Sequence, residues 1–498
     1  MSNRGARYPA LYSARPHLPL CGVLLALVSS ACAGQEWAIG KNFSGSTFGT
    51  DSFSFPPDTM GAVGNDHYVE LLNGRYSVYR KSDGARVQTA TLNGFWTNSG
   101  VFPLTGSFDP RIQFDRFSQR WYALAADGAR SSASSYLLAV SNSADPTLGW
   151  SGLRIDADSD NSHWADFPML GFDRDAVFLS ANMVRLTTGG IDSKNFVSLP
   201  KTSLLSGTTA GLARFQDLDP QLTGFSAHPV TALDNSRSGA FISAFQGAVL
   251  GFGHLKRTDI LTPLTAPTLS DAHLSNPTGF GPGRIPGPTF LQPPLADQPG
   301  LTDFLNTTDW RISATPVKQG DSIWAAHAIR SSAGFNVAVR WYEFSAVTGL
   351  VLQSGTIQDT VGTRDYFFPS IAVNEFGDAV IAFSSSDDDN LFAGAFAVVG
   401  RTAAGVTTFS DPFVLKAGLA PYIRLDGATR NRWGDYSSVT IDPTDPRRFW
   451  TSQLWANTDD RWTTQITEII VPAPASVLST ALLFCLTLTS RRRRGIAP

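Results

Sequence analysis

Seven stretches of this chain repeat one pattern: a Pro or small residue, alternating apolar residues, a turn of Asp, Asn or Gly, then an aromatic-rich run. The clearest is residues 367–386, FFPSIAVNEFGDAVIAFSSS. Ile371 and Val373 alternate with small or polar residues at the period of a half-buried strand, NEFGD is a polar turn, and 379–383 is a second strand without charge. The same two-strand unit occurs at 57–72 (PDTMGAVGNDHYVELL), 108–126 (FDPRIQFDRFSQRWYALAA), 166–182 (DFPMLGFDRDAVFLSAN), 227–245 (AHPVTALDNSRSGAFISAF), 316–328 (PVKQGDSIWAAHA) and 436–455 (YSSVTIDPTDPRRFWTSQLW). The starts lie roughly 50–90 residues apart, the right order for four-stranded sheets joined by long loops.

A recurring hairpin cannot bury both of its faces alone, so the units must stack on one another around an axis. The expected fold is all-β, a β-propeller of seven blades, or six if the least regular unit, the fifth, is discounted. The last unit has room for about three strands before Pro472, so a strand from residues 36–45 is expected to complete it and close the ring. A pair of β-sandwiches is the rival all-β reading, but it does not account for seven like units. Residues 262–300 break the rhythm. Nine prolines with glycines between them exclude a helix or a central strand, and an insertion loop crossing one face of the disc is expected.

The two ends carry addresses. Residues 1–34 hold Arg4, Arg7 and Arg15, a short apolar run at 18–28 and a small-x-small site at Ala31-Cys32-Ala33, the order of a secretory signal peptide. Residues 472–498 continue VPAPAS into an apolar segment stopped by Arg491 to Arg494, the order of a membrane-retained tail with its arginines in the cytoplasm. This tail resembles the PEP-CTERM sorting segment of exopolysaccharide-producing bacteria, where Val-Pro-Glu-Pro precedes an apolar helix and an Arg cluster. Here Ala473 stands in place of the Glu, and four residues follow the arginines. The resemblance implies export, passage through a membrane-anchored state, and an exosortase-like processing partner at the cell envelope or surface.

The body between them, 35–471, contains none of the three cysteines (Cys21, Cys32, Cys485), so its stability must come from core burial without disulfides. Seven of the 39 basic residues lie in the two ends and no acid does, which leaves 32 basic against 42 acidic side chains in the body. An acidic surface repels phosphate backbones, so nucleic acid is not an expected partner. Several stretches, 56–71, 109–124, 141–150 (SNSADPTLGW), 164–182 and 432–450 (RWGDYSSVTIDPTDPRRFW), also resemble a group of uncharacterised secreted bacterial propellers. Within them 143–150, SADPTLGW, resembles the Asp-box of sialidase-like propellers. In such a box Asp145 bonds turn amides and Trp150 packs between strands, a stabilising role.

Candidate chemistry is sparse. In 156–166, DADSDNSHWAD, Asp156, Asp158 and Asp160 alternate and Asn161 follows, oxygen donors arranged as in an irregular calcium loop. No metal-binding His spacing, P-loop or GxGxxG-opened helix is present, so nucleotide cofactors are not indicated. If the protein is an enzyme, Asp166, His163 and Asp435 are the acid/base candidates. Trp96, Trp164, Trp310 and Trp433 lie near expected loops, where an aromatic face can stack on a sugar. The sequence thus leads to an exported envelope or matrix propeller that is non-catalytic and binds polysaccharide or protein partners, with calcium as its one expected ion. A glycoside hydrolase or polysaccharide lyase on the same scaffold is the alternative, and a purely structural envelope protein the third reading.

Overall fold

The computed structural model describes residues 37–246, 253–270, 285, 287–458 and 460–474. The segments read as signal peptide and sorting tail lie outside these, apart from residues 472–474. Among the described residues no helix is long and apolar enough to cross a membrane.

Among the described residues seven blade sheets form a ring, and each recurring hairpin supplies the inner two strands of one blade. Blade 1 is Met60–Val63, His67–Leu72, Arg75–Arg80 and Arg86–Ala90; blade 2 is Phe108–Asp115, Arg120–Asp127, Ser135–Ser141 and Trp150–Asp156. Blade 3 is His163–Phe172, Ala176–Arg185, Ile191–Pro200 and Ala213–Leu218; blade 4 is Phe225–Pro229, Ala240–Gln246, Gly253–Leu261 and Thr268–Leu269. Blade 5 is Val317–Gln319, Ser322–Arg330, Val337–Ser345 and Val351–Ile357, with Thr231–Ala232 added parallel to its inner edge. Blade 6 is Arg364–Val373, Asp378–Asp387, Gly394–Ala403 and Val406–Phe409. Blade 7 is Ser438–Ile441, Arg448–Thr458 and Arg461–Ile470, completed by the N-terminal strand Ala38–Thr47, which pairs Ala38 with Ile470 and Phe43 with Ile466. The ring closes as the strand count requires.

Period-two alternation explains why these strands are apolar on both faces. On Arg120–Asp127, Trp121, Ala123 and Ala125 pack against blade 1, while Tyr122 and Leu124 pack against blade 3. Each pair of adjacent blades holds its own buried cluster. Phe178, Phe196 and Phe241 fill the gap between blades 3 and 4, Trp324, Trp341 and Phe383 that between 5 and 6, and Tyr68, Trp450 and Ile466 that between 7 and 1. The loop 143–150 behaves as its composition dictates: Asp145 caps the turn Pro146–Leu148 by accepting from the Thr147 N–H (2.9 Å), and the Trp150 indole donates to Pro146 O (2.9 Å) against Phe95 and Tyr76.

The insertion divides the outer edge of blade 4. Thr268–Leu269 pairs with Ile260 and Leu261, whereas Phe290 bridges Gly253 and the Ile285 N–H donates to Leu255 O (2.9 Å) at the other end of the same strand. From there the chain passes onto the face where the inner strands begin. Its Leu305–Asn306 forms a parallel ladder with Asn431–Arg432 over a cluster containing Ala296, Leu305, Tyr422, Trp433 and Trp462.

Candidate functional site

The inner strands start with the same local device. In blades 2, 3, 4 and 6 a bulge shifts the register, and one residue there takes a left-handed conformation: Asp109 (φ 52°), Phe167 (φ 54°), Ser226 (φ 51°) and Phe368 (φ 51°). Such a bulge re-aims the side chains at the mouth of the axis. Four consecutive blades, 7, 1, 2 and 3, place an aspartate at or just before this point: Asp435, Asp58, Asp109 and Asp166. With Asp309, Arg311, Arg432, Arg430, Arg130 and Trp164 they line a cavity of about 620 Å³ that opens on that face.

The carboxyls occupy distinct environments. Asn73, in the Asn-Gly turn of blade 1, donates to Asp58 Oδ2 (2.8 Å) and accepts from the Asp109 N–H (2.8 Å), and Asp109 Oδ2 accepts from the Phe167 N–H (3.2 Å). Blades 1, 2 and 3 are thereby tied at the rim. Asp58 Oδ1 is buried without a donor, and burial together with the charges of Asp435 and Asp109 drives the Asp58 carboxyl well above its ordinary range. Burial, then Asp435, raises Asp109 as well. Asp166 is half-buried and its carboxyl accepts no hydrogen bond among the described residues. Burial and the neighbouring Asp109 push it up to about 7, although Arg311 and Arg432 oppose the shift. Asp435, by contrast, is ion-paired: Arg432 Nη2 donates to both of its carboxylate oxygens (2.8 and 2.9 Å). Arg311 forks onto Asp309 (2.8 and 2.7 Å) between the rings of Phe167 and Phe225, and this pair outweighs burial to hold Asp309 below its ordinary value. Behind Asp166, the fully buried Lys194 donates to Asn182 Oδ1 over the Phe225 ring.

Below the cavity Arg111 spans the axis. Completely buried, it donates to Pro168 O (3.0 Å) on blade 3 and to Ser313 O (2.8 Å) ahead of blade 5, and lies 3.5 Å from the Tyr436 ring centroid. Beyond it, a separate cavity of about 70 Å³ is lined by apolar residues such as Met60, Ile112 and Ile371 and by polar ones such as Gln113, Thr231 and Ser370.

Of the acid/base candidates, Asp166 and Asp435 meet in the axial cavity. His163 does not: its buried ring is engaged by Ser162 Oγ (2.6 Å) and Asp192 (2.8 Å), away from the lining. In the candidate calcium loop, Asp158 is buried and accepts the N–H groups of Ser162 (2.9 Å) and His163 (2.7 Å), while Asp160 and Asn161 are exposed. The exposed Asp156 accepts from the Asp158 N–H (3.2 Å) and stands 3.9 Å from Arg214. Among the described residues, candidate ligand atoms converge, all within 4.8 Å of one another, on Asp158, His163 and Asp217. Trp96 and Trp433 are core residues, Trp310 is half-buried, and Trp164 is half-buried in the cavity wall. Sequence reasoning missed Asp58, Asp109, Arg311 and Arg432. Asp58, Asp109, Asp166 and Asp435 recur at matching places in their repeats, a signal of convergence on the axis.

No family model matches this chain, and no curated protein matches it. Among solved structures, the WD40 domain of Toxoplasma gondii coronin is similar at 6% identity over 88% of this chain and 88% of that one, with a TM-score of 0.39. The extracellular domains 1–2 of Drosophila semaphorin 1b align at 8% identity over 88% and 87%, TM-score 0.38. A Cellvibrio cellulosa α-L-arabinanase mutant aligns at 10% identity over 72% and 95%, TM-score 0.34. No residue role carries across at such scores.

Proposed function

We propose that this propeller is exported to the bacterial cell envelope or surface by its signal peptide and sorting tail, and that it binds a saccharide in the axial cavity. The observation carrying this reading is the lining itself. At about 620 Å³ the cavity lies within the roughly 300–1,000 Å³ range of ligand sites, and it offers oriented guanidinium donors, carboxyl acceptors and the Trp164 ring. Hydroxyl-rich ligands need such paired donors and acceptors, and an aromatic face covers their apolar side. A protein partner on the same face is the competing occupant.

A second reading, cleavage of a glycosidic bond, is favoured by the contrast between Asp166 and Asp435. One carboxyl is raised to about 7 and free of hydrogen bonds, the other is ion-paired with Arg432. Such a split suits a general acid beside a second carboxyl held by an arginine. Calcium assistance is assigned to the Asp158 loop, where Asp158 and Asp217 offer the oxygens that a hard cation prefers.

The test incubates the purified protein with a panel of bacterial and plant polysaccharides, with calcium or chelator, and assays retention and newly formed chain ends together. Retention without new ends supports binding, and its loss in chelator implicates the Asp158 loop. New ends that disappear in Asp166→Asn establish cleavage. Neither retention nor new ends across the panel removes the saccharide reading.

A further inference from the structure

A second cavity, of about 200 Å³, adjoins the axial one and shares Asn306 and Arg430 with its lining. Its other walls include Leu295 from the insertion, Phe304 just after it, and Leu425 and Thr429 from the loop ahead of blade 7. We propose that the two cavities form one groove, and that the ligand is an extended glycan chain whose inner unit sits over the carboxyls while the next units lie across Arg430 onto Phe304. This inference rests on the saccharide reading of the axial cavity and extends it to the size of the ligand.

Three observations carry it. The first is the closed floor: Arg111 and its carbonyl partners bar the axis, so a chain longer than the axial cavity leaves by the mouth, where the outer cavity continues the lining at Asn306 and Arg430. The second is the character of the outer cavity. Phe304, Leu295 and Leu425 are 41%, 48% and 46% exposed, and they stand beside the amide of Asn306, the hydroxyl of Thr429 and the guanidinium of Arg430. Apolar faces next to oriented donors match a sugar ring, which has both kinds of surface. Asp426 fixes the guanidinium at the junction, accepting from Arg430 Nε (2.9 Å).

The third is how firmly the outer wall is built. Two long loops would ordinarily move independently, but here buried amide side chains pin them together. Gln298 donates to Asp303 O (2.9 Å) and Tyr422 O (2.9 Å) and accepts from the Tyr422 N–H (3.0 Å). Asn431 donates to Asp303 O (3.0 Å) and Tyr422 O (2.8 Å). Both amides are almost completely buried, and the ladder of Leu305–Asn306 with Asn431–Arg432 runs alongside them. A wall fixed before the ligand arrives loses little conformational entropy on binding.

The experiment is calorimetric titration of the full-length protein with β-1,4-linked glucose and glucuronate oligomers from dimer to hexamer. The wild type should bind the best hexamer about tenfold or more tighter than the dimer of the same series. Ala428→Trp, on the exposed turn 426–430, fills the outer cavity and should abolish that gain while the dimer binds as before. Phe304→Ala should reduce the gain without filling anything. Equal binding of dimer and hexamer, or a length-dependent gain that survives both substitutions, overturns the groove and leaves the saccharide reading standing. Failure of every oligomer in both series to bind overturns the groove and that reading together.

Discussion

Glu70, fully buried on the second strand of blade 1, joins the two ends of the ring. Its carboxylate accepts from the Ser46 hydroxyl and N–H (3.4 Å) on the N-terminal strand, from the Thr464 hydroxyl on the last strand of the chain, and from the Tyr79 hydroxyl (3.1 Å). Glu70→Ala removes the acceptor from all of them. Four buried donors left without their acceptor cost about 3–5 kcal/mol together, after part returns where hydroxyls find new partners. With about 2.1 cal/mol/K of unfolding entropy per residue, a body of this length has about 0.9 kcal/mol/K in total, so the expected fall in Tm is about 3–6 °C. Burial raises the Glu70 carboxyl above its ordinary 4.5, against the opposing hydroxyls of Ser46 and Thr464. A carboxyl raised on folding adds stability that is complete below its unfolded value and lost as pH climbs through its folded one. Glu70→Gln, neutral at every pH and nearly isosteric, should therefore gain on the wild type as pH rises above about 4.5. Thermal unfolding followed by circular dichroism across pH 4–8 measures both effects. An unchanged Tm for Glu70→Ala, or a Gln variant whose offset from wild type ignores pH, would refute the account of closure.

The same logic applied to Asp166, raised from 3.8 to about 7, predicts that wild-type Tm falls relative to Asp166→Asn as pH rises through that interval. Arg111→Met leaves Pro168 O and Ser313 O buried without their donor and should lower the free energy of unfolding in urea by about 2–5 kcal/mol; a loss below 0.5 kcal/mol would show that the axis does not need its crossbar. Asp145→Ala removes the cap of the turn Pro146–Leu148 and should cost about 1 kcal/mol in the same urea assay, with ligand retention unchanged.

The ring was legible because every inner hairpin is read by neighbours on both sides. Strands such as 379–383 need apolar residues at successive positions, and the NEFGD and DPTDP turns punctuate them. The closing strand could be counted from the shortfall in the last unit. The site was less legible. Asp166 and Asp435 are 269 positions apart and meet through ring geometry, which sequence spacing does not encode. Asp309 and Arg311 arrive by way of the insertion, whose prolines say where strands stop and nothing about where the chain goes next. Asp217 joins Asp158 and His163 because the outer strand of blade 3 returns to that edge, and its own neighbours, Gln216 and Leu218, give no hint of a cluster.

Seven similar blades would by themselves make a mouth that looks the same from seven directions. Aspartates on four consecutive blades, faced by a guanidinium between two rings, remove that equivalence. A ligand turning over the opening meets one bearing at which its hydroxyls face carboxyls while its acceptors face Arg311. On the proposed saccharide reading, a chain with distinguishable ends is thereby given a direction, which repetition alone could not supply.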